Sequence, residues 1–349
     1  MNKQAARGLA AYRMHVSAVM FSVVFGAVFL ATALAAFHQP TPHGLRVGLV
    51  GPSAVTRPIR LGVDHRMPGA FDLRLLTRDS VARAAMAHRR LDGAVLVERS
   101  GMRVLTAQAG GTAPAETVLS AFSAVGQKLH RPVQASDVVA PGSHDSQGLS
   151  AYFLALCTLF PSLALGLAAG HALRNSRTVP RVAVLIAGAM VSGLAASAIG
   201  DAISGLGHFW QVAGIVALFS LAISAPTAAF TRVKPQLILL TVLAFLVLGI
   251  PASGGPANLT AFEPGFLRWL HPGLPLGITT DTIRNTVYFG GSDTSSHLWV
   301  LTAFAFAGLA AFGALGGLPR RRGIPAASTG NQRTSLADNA PNESYAVTV

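Results

Sequence analysis
Six long apolar stretches are spread unevenly along the chain, at residues 16–37, 151–173, 182–203, 209–230, 236–252 and 298–318. Most have the length needed to cross about 30 Å of hydrocarbon at 1.5 Å per residue. The pattern therefore predicts a polytopic, essentially all-α membrane protein with six transmembrane helices. A polar segment, 38–148, separates the first stretch from the second, and a Pro/Gly-rich insert, 251–296, precedes the last.

The polar segment carries both periodicities. Residues 45–50 read as a strand, and 71–75 alternate with period two. Asp79 or Ser80 can cap a helix reaching Leu91, with Val81, Ala84, Ala85 and His88 on one side. Asp92-Gly93 turns into 94–97, and Ser100-Gly101 into 102–105, which predicts a hairpin. Pro114 suits the first turn of a helix over 113–129, where Val118, Leu119, Phe122, Val125 and Leu129 recur at helical spacing. Together these predict a small α/β domain inserted between helices 1 and 2 and large enough for its own core. In the insert, the apolar runs 266–270 and 280–288 are too short to cross. They predict short helices that dip into the membrane interface and return, with any non-helical backbone buried in protein or wet.

Hydrophobic residues make up 51% of the chain and charged ones 12%, which excludes an ordinary soluble protein. The formal charge of +13 does not point to nucleic acid, because the basic residues sit where topology needs them. Lys3, Arg7 and Arg13 precede the first stretch, Arg174, Arg177 and Arg181 link the second to the third, and Arg232 and Lys234 link the fourth to the fifth. Arg320, Arg321 and Arg322 follow the last. Asp201, Glu263, Asp281 and Asp293 mark the opposite ends. The positive-inside rule then predicts cytoplasmic termini, a cytoplasmic segment 1–15, an extracytoplasmic 38–148 and a plasma-membrane location. Trp210, Trp269 and Trp299 fall on the outer side. The first stretch is longer than a signal-peptide core, so an uncleaved anchor is favoured over cleavage after Ala33-Leu34-Ala35. Residues 319–349 read as a disordered cytoplasmic tail.

No catalytic chemistry is evident, and no enzyme is expected. The chain has no G-x-x-x-x-G-K-[ST] loop, so ATP can act only through a partner. Ser143-His144-Asp145 are loop neighbours, which cannot converge as a triad. They read as solvated. His38, His43, His65, His88, His130 and His144 lack metal-ligand spacing, and no cofactor or metal is expected. The predicted spans hold no mid-depth acids, histidines or arginines, which argues against an ion-driven carrier. Cys157 reads as a small apolar filler. Gly166-xxx-Gly170 and Gly313-xxx-Gly317 fit ordinary close helix packing, and Pro161 and Pro226 are expected to kink their spans.

Three groups of residues carry a family resemblance. Residues 92–97 (Asp-Gly-Ala-Val-Leu-Val) are similar to a strand of the family's external domain, although Glu98 stands where the family has proline. Residues 147–153 are similar to the start of its second span. The third group is Pro251-Ala252-Ser253-Gly254-Gly255, Glu263-Pro264-Gly265-Phe266-Leu267, His271-Pro272, Leu274-Pro275, Arg284 and Tyr288-Phe289-Gly290-Gly291, which is similar to its outer re-entrant segment. In order and spacing, residues 45–318 resemble the ABC-2 type permease superfamily, in its YhgE/Pip and SNG1-like (DUF3533) branch. The resemblance implies a homodimer, or a heterodimer with another permease, of six-span subunits in the lipid bilayer, each engaging a separate ABC ATPase. It implies an ATPase-coupling link at Arg174, Arg177 and Arg181. It also leads us to expect an outer gate at Pro251, Glu263, Pro264, Arg268, His271, Pro272 and Arg284. The expected function is the permease-like subunit of an exporter that moves an amphipathic or lipid-like compound outward. The alternative is a non-transporting envelope receptor or scaffold acting through 38–148.

Overall fold
The structure, a computed structural model, describes residues 23–38, 41–171, 178–257 and 260–316, together with Val16 and Met20. All of these belong to one compact unit.

Helix α1 spans Val23–Phe37. A sheet region follows, built from β1 (Leu45–Val50), α2 (Ser53–Arg66), β2 (Phe71–Leu76), α3 (Asp79–Ala87), β3 (Gly93–Val97), β4 (Met102–Thr106), α4 (Thr112–Lys128) and β5 (Val133–Asp137). The strand order is β2-β1-β3-β4-β5. β1 pairs in parallel with β2 and β3, β3 and β4 form the expected antiparallel hairpin, and β4 runs parallel to β5. Successive strand residues face opposite sides of a sheet, and here both sides are covered. Leu45, Val47, Leu49, Val95 and Val104 pack with Ile59 and Val63 of α2 and Val118 and Phe122 of α4. Ala94, Leu96 and Leu105 pack with Ala82 and Met86 of α3. This double burial is why β3, an unbroken Ala-Val-Leu-Val run, sits at the centre.

Helix α3 ends at Ala87, short of the expected Leu91, because Arg89 turns the chain in a left-handed conformation, φ +56°. Two elements escape the sequence patterns. α2 carries Pro58 in its interior, and β5 is a mostly exposed edge strand without apolar alternation.

Among the described residues, four helices are long and apolar enough to cross a membrane: α5 (Ser150–His171), α6 (Thr178–Ser204), α7 (Phe209–Val233) and, after the insert, α11 (Thr294–Gly316). They cover the second, third, fourth and sixth apolar stretches. The first stretch is seen as α1, and the fifth is irregular. α8 (Ile238–Val242) passes into a π-helical segment, Leu243–Leu248, and then a 3₁₀ turn, Pro251–Ser253. Pro235 and Pro251 bound this stretch, and a proline within it would remove a helical hydrogen bond.

Helix α7 is the hub, with Phe219, Ser220, Ala222, Ile223, Ser224, Ala225, Thr227 and Ala228 all fully buried. Small residues bring its neighbours close. Gly166 and Gly170 of α5 lie against Ser224, Thr227 and Ala228, Gly193 of α6 against Ala213 and Ala217, and Gly308 of α11 against Pro226. The Gly166/Gly170 pair is thus a true contact seam, whereas Gly317 of the other pair lies outside the described residues. The outward faces stay apolar: Phe153 and Phe160 of α5, Met190, Val191 and Ile199 of α6 and Phe306 of α11 are exposed. Such a continuous apolar surface is suited to lipid rather than water. Trp210, Trp269 and Trp299 are also exposed.

The insert holds α9 (Gly265–Leu270) and α10 (Pro275–Tyr288). α10 packs among α5, α7 and α11. Its Leu276 and Ile278 share a cluster with Leu159, Phe219, Ile223 and Leu301, while Ile283 clusters with Ala151, Val212 and Val216 nearer the helix starts. At 1.5 Å per residue, the N-terminal end of α10 reaches about 10–15 Å into the bundle.

A side chain at Gly166 would place its Cβ 2.5 Å from the Ser224 carbonyl oxygen and 2.6 Å from Thr227 Cβ. Gly166→Val is expected to cost about 1–3 kcal/mol, seen as a lowered thermal midpoint in detergent. Gly214→Ala, where nothing lies within 4 Å, should leave the midpoint unchanged.

Candidate functional site
The expected gate residues do not all converge. Pro251, Glu263 and Arg284 are buried and His271 nearly so, whereas Arg268 and Pro272 are exposed and Pro264 is intermediate. The buried members belong to a polar cluster that ties the insert to both the sheet and the helix bundle.

At its centre is Asp281 of α10, 13% exposed. Arg89 donates from Nη2 to Asp281 Oδ1 at 2.8 Å and from Nη1 to Asn285 Oδ1 at 2.7 Å, and its guanidinium lies 5.7 Å from the centre of the Phe289 ring. The left-handed backbone of Arg89 is sterically costly for a non-glycine residue, and the ion pair holds it in place. His271 faces two acceptors: Nδ1 is 2.8 Å from the Ala252 carbonyl and Nε2 is 3.0 Å from Asp281 Oδ2. Only imidazolium donates from both ring nitrogens. Burial alone would lower the His271 pKa, but Asp281 and the Ala252 carbonyl outweigh it and raise it. Burial alone would likewise raise Asp281, yet Arg89 and His271 hold it well below the usual carboxylate range.

Arg284, 1% exposed, donates from Nη2 to the carbonyls of Gly148 and Pro256, each at 3.3 Å, while its Nε and Nη1 have no hydrogen-bond partner among the described residues. Burial and the nearby Arg89 charge lower it to about 10. Tyr288 donates to Asp145 Oδ2 at 3.0 Å. Burial beside that carboxylate pushes the phenol to about 12, so it remains a donor. Asp145 also accepts from the backbone N–H groups of Leu149 and Ser150 at the start of α5. The Ser143-His144-Asp145 reading is corrected accordingly. Ser143 and His144 are exposed, but Asp145 is buried because it caps a helix and anchors Tyr288.

Glu263 is fully buried. Its Oε1 accepts from the Gly254 N–H at 2.7 Å, and Oε2 has no hydrogen-bond partner among the described residues. Burial raises its pKa to about 7 against the opposing pull of that N–H and of His271. Glu263, His271, Asp281 and Arg284 are carried by the insert, where it meets the sheet region through Arg89 and the start of α5 through the Gly148 carbonyl.

Arg174 and Arg177 of the expected coupling link lie outside the described residues. Arg181 is only 4% exposed, within α6. Sequence reasoning placed Asp281 only as a topology mark, read Asp145 as solvated, and missed Arg89 and Asn285. The one local signal was Arg89 at the end of a helical pattern that turns into a strand.

A mostly helical protein of membrane-protein type, with at least four helices long and apolar enough to cross a bilayer and a five-stranded mixed sheet clasped by the insert, is the class this architecture defines. Comparison with protein-family models, with curated proteins and with solved structures finds no match.

Removing one partner of a largely buried ion pair strands the other. Arg89→Ala and Asp281→Asn should each cost about 3 kcal/mol and together less than their sum, as measured by a double-mutant cycle on unfolding. Seating of the insert should also depend on pH. Glu263, raised from 4.5 to about 7, stabilises the seated insert fully below 4.5 and loses that effect as pH rises through about 7. His271, raised from 6.5, contributes fully below 6.5 and loses its contribution as pH rises through its raised value. Asp281 acts oppositely, contributing above 3.8 and failing as pH falls through its depressed value. Amide exchange of residues 251–288, corrected for its intrinsic pH dependence, should show greatest protection in weak acid. Glu263→Gln should remove the Glu263 share of the step near neutrality and leave the share of His271.

Proposed function
We propose that this chain is the permease-like membrane subunit of an exporter that moves an amphipathic or lipid-like compound outward, powered by a separate ATPase. The apolar stretches 16–37 and 236–252 complete six crossings beside the four longer helices, with both termini cytoplasmic and the sheet region outside the plasma membrane. The observation that carries this reading is the seating of α10. A helix too short to cross, with ends made of non-helical backbone, is tolerated at membrane depth only where protein surrounds it or a wet cavity adjoins it. Discontinuous helices of this kind are used by transporters to line substrate paths. α10 closes the sheet-side end of the bundle and is held by the Arg89–Asp281–His271 cluster, so releasing that cluster opens the path. A second reading, that proton release times this opening, is favoured by buried Glu263.

Purification of the full-length protein from its host membrane should bring down an ABC ATPase. The Arg174→Gln/Arg177→Gln variant should lose it without a change in thermal midpoint. Retained capture would assign these arginines to topology alone. No ATPase with the wild-type chain would favour the receptor or scaffold role.

A further inference from the structure
We propose that the groove between α2 and α4 binds the acyl chain of a long-chain anionic amphiphile, whose headgroup is held by Arg66 or Lys128. Both helices cover the same face of the sheet and share one core. They nevertheless leave between them a cavity of about 490 Å³, within the roughly 300–1,000 Å³ usual for small-molecule sites. Its floor is formed by Ile59, Val63 and Val125, and its walls by Ala54, Gly62, Ala121 and Ala124. Small residues facing each other let helices touch elsewhere in this chain, as at Gly166. Here Ala54, Gly62 and Ala124 are exposed, and nothing lies within 4 Å of a Cβ built on Gly62.

The charged lining is wholly basic. Arg66 and Lys128 are the only ionisable residues along the groove, both are exposed, and neither forms a salt bridge among the described residues. Each sits in the last turn of its helix, where a cation suits the helix dipole, but the dipole does not account for an apolar trough beside it. α2 and α4 run in opposite directions, so a basic group stands toward either end of the trough. An apolar channel of this size with cations and no acid along it is complementary to a fatty-acid-like chain bearing a negative head. That such a compound is also the one exported rests on the function proposed above. Binding itself does not.

Full-length protein in phosphatidylcholine nanodiscs is labelled with a photoreactive palmitate analogue, and the adducts are mapped by mass spectrometry. Adducts are expected in residues 53–67 and 121–129, displaced by palmitate and far less by hexadecanol. Gly62→Phe, which fills open space, should cut this labelling about fivefold or more, as should Ala124→Leu if the first variant misfolds. Arg66→Gln/Lys128→Gln should weaken the palmitate probe about three- to tenfold and leave a hexadecanol-based probe unchanged. The proposal is overturned by labelling confined to the membrane helices, by labelling that ignores both groove-filling variants, or by cross-links showing a second protein chain in the groove. These readouts need neither ATPase nor transport, so loss of export with binding intact would remove only the exporter reading.

Discussion

A carboxylate withdrawn from water stays ionised only where cations and donors replace its hydration, and the meeting of sheet, insert and helix bundle depends on how Asp281 meets that demand. It takes one cation from the sheet region, Arg89, and one from its own insert, His271. Neither cation is well placed without it. Arg89 would otherwise hold a costly backbone conformation for nothing, and His271 would have no counter-ion for the second of its two donated protons. The three residues come from separate parts of the chain, so each part is in its native place only when the others are. Apolar contacts reinforce the same junction. Phe262 of the insert joins the core on one face of the sheet and Phe289 the core on the other, so the insert clasps the sheet from both sides.

The membrane-facing half rests on a different balance. Lipid offers no hydrophobic drive for helices to associate, so contact area and close backbone approach must hold the bundle. The glycines of α5, α6 and α11 supply that approach around α7. The same density of small residues makes room for α10, whose threonines Thr279, Thr280, Thr282 and Thr286 return their hydroxyls to carbonyls of their own helix four residues back. A polar helix can therefore lie buried among apolar ones without stranding its side chains. Within the insert, Glu263 and Arg284 each keep a buried polar atom without a hydrogen-bond partner among the described residues, and such costs are usually retained where a structure must change state.

The sequence by itself determined the elements with long, self-contained signals. The apolar stretches of α5, α6, α7 and α11, the β3–β4 hairpin announced by Asp92-Gly93 and Ser100-Gly101, and the periodic face of α4 were all legible, because propensity and burial act there within one segment. Helix α2 and strand β5 were not, since Pro58 interrupts one pattern and the edge position of the other removes its alternation. The short helices of the insert could be read from their prolines, but not their seating. Tertiary structure alone decided that Asp281, Arg89, Asn285 and Asp145 lie within bonding reach of a single insert, that Glu263 is buried while Arg268 is exposed, and that α2 and α4 stand apart. The reason is physical: a residue's charge state and partners depend on solvent exclusion and on groups distant in sequence, and neither is encoded in local periodicity.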